Sequence, residues 1–180
     1  MKYNPKDVLS GQFWIKRIHQ ILGGRNFVMN ARPTRLTVSI KDLGKQVHVS
    51  CGIIQRDNFV LAVQRSPQMH LPLKWEFPGG KIEQGETPEA CLKRELIEEL
   101  ELSVTVGDAL EPSTHVYDSF IVTLYPFLCD IESGKLVLHE HAAFAWLQPS
   151  KLHELDWADA DKPVLDAYLK MTGFQRKELP

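Results

Sequence analysis

Glu95, Glu98 and Glu99 are spaced i, i+3, i+4, so on a helix they share one face. Carboxylates this close repel one another and hold each other's protons. A hard divalent cation relieves that repulsion. Mg²⁺ prefers oxygen ligands and keeps several waters while it bridges a substrate phosphate. Glu86, just ahead of these residues, could join them. Pro78-Gly79-Gly80 lets backbone approach closely, so a carbonyl there is a further candidate ligand. The plain alternative is a solvated acidic helix face, which helical charge runs usually are.

The elements that would position these groups follow from pattern. Thr87 is a good N-cap and Pro88 suits a first turn, so a helix is expected from there to about Leu100. Leu92, Leu96 and Leu100 make its apolar stripe against a sheet. Val47 to Ile54 and Phe59 to Val63 read as strands around an Arg56-Asp57-Asn58 turn. A short strand at Val104 to Val106, a long one from Phe120 to Ile131 turned by Ser133-Gly134, and another at Ala143 to Leu147 complete a mixed sheet. Pro149-Ser150 starts a short helix, and a last helix runs from about Lys162 to Met171, ending at Gly173.

The first 45 residues read as separate. Asn4-Pro5-Lys6-Asp7 opens a helix carrying Phe13, Trp14, Ile15, Ile18, Ile21 and Leu22, and Gly23-Gly24 stops it. Short extended pieces follow at Phe27 to Met29 and Leu36 to Ile40. The expected division is an N-terminal extension at 1–45 and a catalytic domain at 46–180. The apolar helix needs a partner, either this domain or a second subunit, so a homodimer is one expectation.

Composition narrows the class. A net charge of −2 over 180 residues gives no nucleic-acid footprint, so a polymer partner is not expected. Three cysteines, Cys51, Cys91 and Cys129, are odd in number and far apart. They argue against a disulfide framework or a zinc site and for a reducing compartment. With no apolar leader and no run long enough to span a bilayer, a cytoplasmic enzyme without a membrane partner is expected.

Gly80, five residues, Glu86, seven residues, then Arg94-Glu95-Leu96-Ile97-Glu98-Glu99 resembles the Nudix box. The box would end with a Gly where this chain has Glu101. Losing that Gly is expected to strain or reshape the helix exit. Trp75-Glu76-Phe77-Pro78-Gly79-Gly80-Lys81 and Gln64-Arg65 are similar to the MutT-type branch. The likeness covers roughly Val47 to Leu169 and implies an α/β/α sandwich with a mixed sheet.

The resemblance also implies roles. Glu95, Glu98 and Glu99 would hold Mg²⁺ (Mn²⁺ is an alternative), with the Gly80 carbonyl and Glu140 as further ligands. Arg94 would pair with Glu86 and hold it in place. Arg65 and Lys81 match positions near the phosphates, and Asp161 a position that contacts the base. The implied reaction is attack of water at the β-phosphorus of a nucleoside triphosphate, releasing pyrophosphate and the monophosphate. The general base stays open among Glu95, Glu98 and Glu140.

Structural readings stand beside these roles. Glu140, between His139 and His141, could lie in an exposed loop, and Asp161 could simply cap a helix. His139 and His141 share a side only if their segment is a strand. Arg65 could be a strand-end surface residue, and Phe144 and Trp146 are more often core. An ionised Asp161 only accepts hydrogen bonds, which fits the guanine edge at two donors and cytosine at one. The reading favours 8-oxo-dGTP, a nucleotide-pool role tied to DNA repair, over CTP or 5-substituted dCTP. Tyr117 lies about where dinucleoside polyphosphate hydrolases carry a tyrosine, a weak signal. From another class, a non-catalytic nucleotide sensor has no need of intact Arg94, Glu95, Glu98 and Glu99.

Overall fold

The computed structural model describes residues 45–174. The helix and extended pieces expected over residues 1–44 lie outside the described residues.

Among the described residues eight strands form one mixed sheet: β1 (Lys45–Arg56), β2 (Phe59–Gln64), β3 (Trp75–Glu76), β4 (Gly79–Lys81), β5 (Leu102–Ala109), β6 (Ser113–Val116), β7 (Phe120–Gly134) and β8 (Ala143–Leu147). The sheet is flanked by α1 (Pro88–Leu100) and α2 (Lys162–Met171), with a 3-10 helix at Pro149–Glu154. The spine is a parallel pairing of β1 with β7, in register from Lys45↔Phe120 to Gln55↔Asp130. On its other edge β1 pairs with β2 at Arg56↔Phe59 and with β4 at Ser50↔Gly80. β8 runs antiparallel to β2, and β5 and β6 to β7. Asp57 takes the left-handed conformation in the β1–β2 turn (φ 54°), which Asp tolerates.

The period of two divides the apolar residues between two cores. Ile54, Leu61 and Val63 face Leu92, Leu96 and Leu100 of α1, together with Phe127 and Cys129. Ile53, Val60 and Ala62 face Val164, Leu165 and Tyr168 of α2, together with Phe77 and Trp157. Each fully buried leucine or isoleucine stabilises the fold by about 2 kcal/mol, so α1 is anchored by its stripe and its polar face is free for chemistry.

Several elements differ from the expectation. The glycine-rich loop is partly a strand, β4, because it lies against β1. A β-carbon on Gly79 (φ 152°) would strike the Ser50 carbonyl. β3 and β6 are too short to leave a period in the sequence, and β5 runs well beyond Val104 to Val106.

Candidate active site

The N-terminus of α1 is set as the sequence predicts. Thr87 Oγ1 accepts a hydrogen bond from the Ala90 N–H at 3.2 Å, and Pro88 fills the first turn. Glu101 stands at the C-cap with φ 56° and ψ 31° and donates its N–H to the Ile97 and Leu96 carbonyls. A non-glycine residue therefore holds the left-handed turn that a glycine would take, strained but not reshaped.

Arg94 organises the polar face. Its guanidinium donates to both oxygens of Glu86, at 2.9 and 3.0 Å, to Glu95 at 2.8 Å, to Glu98 at 3.1 Å and to the Lys81 carbonyl at 3.3 Å. The hydrogen bonds from Arg94 hold the Glu86 carboxyl down at about 2. Glu86 also accepts from the Glu83 N–H, so it pins the loop before α1. Across from α1, the Glu95 carboxylate occupies the space that a β-carbon at Gly80 would need. The Gly80 carbonyl accepts from the Cys91 thiol at 3.4 Å.

The loop after β7 is tied to the end of α1 by His139 N–H to the Glu99 carbonyl (3.0 Å) and Val137 N–H to the Leu100 carbonyl (3.1 Å). This brings Glu140, exposed in a bend, into the field of Glu95 and Glu99. The segment is not a strand, and its two histidines diverge. His139 meets Glu101 at 2.9 Å, whereas His141 is buried and meets Glu76 at 3.1 Å.

Burial raises the Glu95 pKa against the pull of Arg94, and Glu98 and Glu140 add to the rise. Glu99 goes further, to about 7: burial leads, Glu140, Glu95 and Glu76 add like charge, and His141 opposes. Glu98 is the open member, with its side chain 59% exposed. Among the described residues no three His, Cys, Asp or Glu side chains converge on one point, because Arg94 draws Glu95 and Glu98 while Glu99 turns toward His141. The donor set is all oxygen, partly buried and over-supplied with negative charge. That chemistry fits a hard cation such as Mg²⁺.

A second pole lies on the α2 face. Trp75 N–H donates to the Asp156 carbonyl and Ala158 N–H to the Trp75 carbonyl, which fastens the segment before α2 to β3. Asp161 is thereby buried, and its carboxyl accepts from the Phe77 N–H at 3.0 Å. It stands at the N-cap position of α2 but makes no side-chain cap bond. Burial, with Glu76 adding to it, pushes its pKa up to about 8. Burial thus favours its neutral form, which has an O–H to donate, over the acceptor-only carboxylate.

Arg65 is not a free strand-end residue. It pairs with Glu76 and donates to the His70 carbonyl, so it braces the β2–β3 loop. Lys81 is exposed on β4. Tyr117 accepts from the Ala160 N–H at 3.1 Å and stacks on Phe120 at 4.7 Å, with His70 edge-on to Phe120 at 5.1 Å. Phe144 is 45% exposed, which removes it from the core, and Arg56 lies 4.3 Å over the Trp146 ring.

Sequence reasoning gave no role to Glu76, His70 and Phe120, and weighed His141 only for whether it shares a side with His139. Glu76 lay within a quoted motif without a role. The buried state of His141 left no trace in spacing. Glu76 raises the pKa of both Glu99 and Asp161, so it stands between the two poles.

Among the described residues no helix is long and apolar enough to cross a membrane. Comparison with known proteins agrees with this geometry. A NUDIX domain profile matches residues 44–168. The CTP pyrophosphohydrolase of Escherichia coli K12 is 35% identical over 127 residues, covering 71% of this chain and 94% of that protein. The 8-oxo-dGTP diphosphatase of the same organism is 31% identical over 122 residues, covering 67% and 95%. The solution structure of the E. coli ORF135 protein superposes with a TM-score of 0.63 at 32% identity, covering 75% of this chain and 96% of that one. A carboxylate-bearing helix clamped by Arg94 against a glycine strand, within a profile that spans most of the chain, makes this protein a member of the Nudix family.

Proposed function

We propose that this chain is a Mg²⁺-dependent nucleoside triphosphate pyrophosphohydrolase that releases a nucleoside monophosphate and pyrophosphate. The observation that carries this reading is the partly buried, mutually repelling pair of Glu95, packed against Gly80, and Glu99, with Glu140 in the field of both. Glu95, Glu98 and Glu99 are the assigned ligands, with the Gly80 carbonyl and Glu140 completing the set. A divalent cation held there would supply neutralisation of phosphate charge and a lowered pKa for the attacking water. Glu95, Glu98 or Glu140 takes that water's proton. Arg94 keeps the face ordered through Glu86, and Lys81 stands for phosphate contact.

Asp161 and the Phe77 backbone face the base in this reading, with the Tyr117–Phe120 stack as an apolar wall. A neutral carboxyl donates with its O–H and accepts with its carbonyl, so it complements the O6 and N1–H of a guanine. This supports 8-oxo-dGTP as substrate and a role in clearing the nucleotide pool. The same pair of groups complements N3 and the 4-amino group of cytosine. Together with the likeness to a CTP pyrophosphohydrolase, that favours a second reading, CTP or a 5-substituted dCTP.

Pyrophosphate and monophosphate release with Mg²⁺ tests both, across 8-oxo-dGTP, dGTP, CTP, dCTP, 5-methyl-dCTP, ADP-ribose and diadenosine tetraphosphate. A preference for 8-oxo-dGTP supports the first substrate and a preference for a cytosine nucleotide the second. No turnover of any triphosphate would sink the enzymatic reading in favour of a nucleotide sensor.

A further inference from the structure

The His141 side chain is only 2% exposed, and its two ring nitrogens face two carboxylates. Nε2 lies 3.1 Å from Glu76 Oε1. Nδ1 lies 3.8 Å from Glu99 Oε2 and is buried without a hydrogen-bond partner. The other oxygen of Glu76 holds Arg65, so Glu76 is fixed from both sides. The backbone on either flank of His141 is fixed as well. His139 N–H bonds the Glu99 carbonyl at 3.0 Å, and Ala142 N–H bonds the Gln64 carbonyl at 2.8 Å. With ring plane and backbone both set, Nδ1 is the one ring atom left to meet Glu99. A buried polar atom left unpaired needs an explanation, and a space-filling role would suit an apolar residue better.

We propose that His141, oriented by Glu76, is a positioning residue for Glu99, and that this pair sets how tightly the carboxylate cluster takes a divalent cation. The inference rests on the reading of Glu95, Glu98 and Glu99 as metal ligands. Groups that orient a ligand without touching the metal typically change metal affinity by about 10–100-fold when removed. The chain Arg65–Glu76–His141–Glu99 also links the β2–β3 loop on the base side to the metal side, through side chains alone.

Mn²⁺ is the probe, titrated into the full-length protein and read by electron paramagnetic resonance, without turnover. His141→Leu is expected to weaken Mn²⁺ binding by about tenfold or more. It raises the Mg²⁺ concentration for half-maximal rate in parallel, while the nucleotide KM at saturating Mg²⁺ stays within about twofold. His141→Asn, whose amide can still reach toward Glu99, recovers part of the loss. Glu76→Gln lowers affinity in the same direction and non-additively with His141→Leu. Folded His141→Leu protein with wild-type Mn²⁺ affinity overturns the proposal. Should that variant not fold, wild-type affinity in both His141→Asn and Glu76→Gln overturns it equally. Glu99→Gln separates the two readings. Undiminished Mn²⁺ affinity there removes the ligand assignment itself, whereas loss there with none at His141 removes only the positioning role.

Discussion

The carboxylate of Glu95 fills the space that a β-carbon at Gly80 would occupy, so strand β4 and helix α1 meet where a side chain on β4 would displace Glu95. Gly80→Ala is expected to fold, because what it displaces is the free end of a side chain. It should cost about 100-fold in turnover, the scale of a misplaced catalytic group. Gly79→Ala meets the Ser50 backbone instead and should lower the melting temperature markedly. Steady-state rates and thermal melts of the two variants check the contrast.

Glu101 holds a left-handed turn at the end of α1. Glycine adopts that conformation without the steric cost of about 1–2 kcal/mol that a β-carbon brings. Glu101→Gly gives up the exposed pairing with His139, worth about 0.5 kcal/mol. The net expectation is a gain of about 1 kcal/mol, or a melting temperature higher by about 3 °C, with turnover unchanged. A lower melting temperature would show that the His139 contact matters more than the turn.

Glu99→Gln keeps the size of the side chain and removes its charge. Turnover should fall by orders of magnitude, while the melting temperature holds or rises, because burial and three neighbouring carboxylates already disfavour that charge. Chelation of the wild type should stop turnover, with recovery on added Mg²⁺. A near-normal rate in folded Glu99→Gln protein would sink the metal assignment.

Asp161 gives stability a pH dependence. The unfolded chain releases this proton near the ordinary value of 3.8, the folded chain only near 8. Between those values folding takes up a proton, so the contribution of Asp161 is full below about pH 4 and is lost as pH rises through about 8. Glu99 slopes the same way, so the comparison must be with Asp161→Asn, which should flatten the Asp161 part. Urea midpoints at pH 5 and pH 8.5 for both proteins test this. Parallel curves would show that the carboxyl is already ionised at pH 5.

The parts of the fold with a strong period were legible: α1 with its cap and leucine stripe, the hairpin of β1 and β2, long β7, and α2. So was the clustering of Glu86, Arg94 and Glu95, because all three lie within or just before one helix. What the sequence hid depends on contacts between distant segments. β3, β4 and β6 exist because longer strands lie alongside them. The raised pKa of Asp161 comes from burial under a segment fastened to β3, and the inward turn of His141 from a loop tied to α1. Neither leaves a signature in spacing.

The parallel spine has a consequence for the order in which the protein is born. Lys45 finds its partner only at Phe120, and Glu140 and Asp161 are added later still. A nascent chain on the ribosome therefore carries the whole glutamate helix before it owns a completed sheet to hold it.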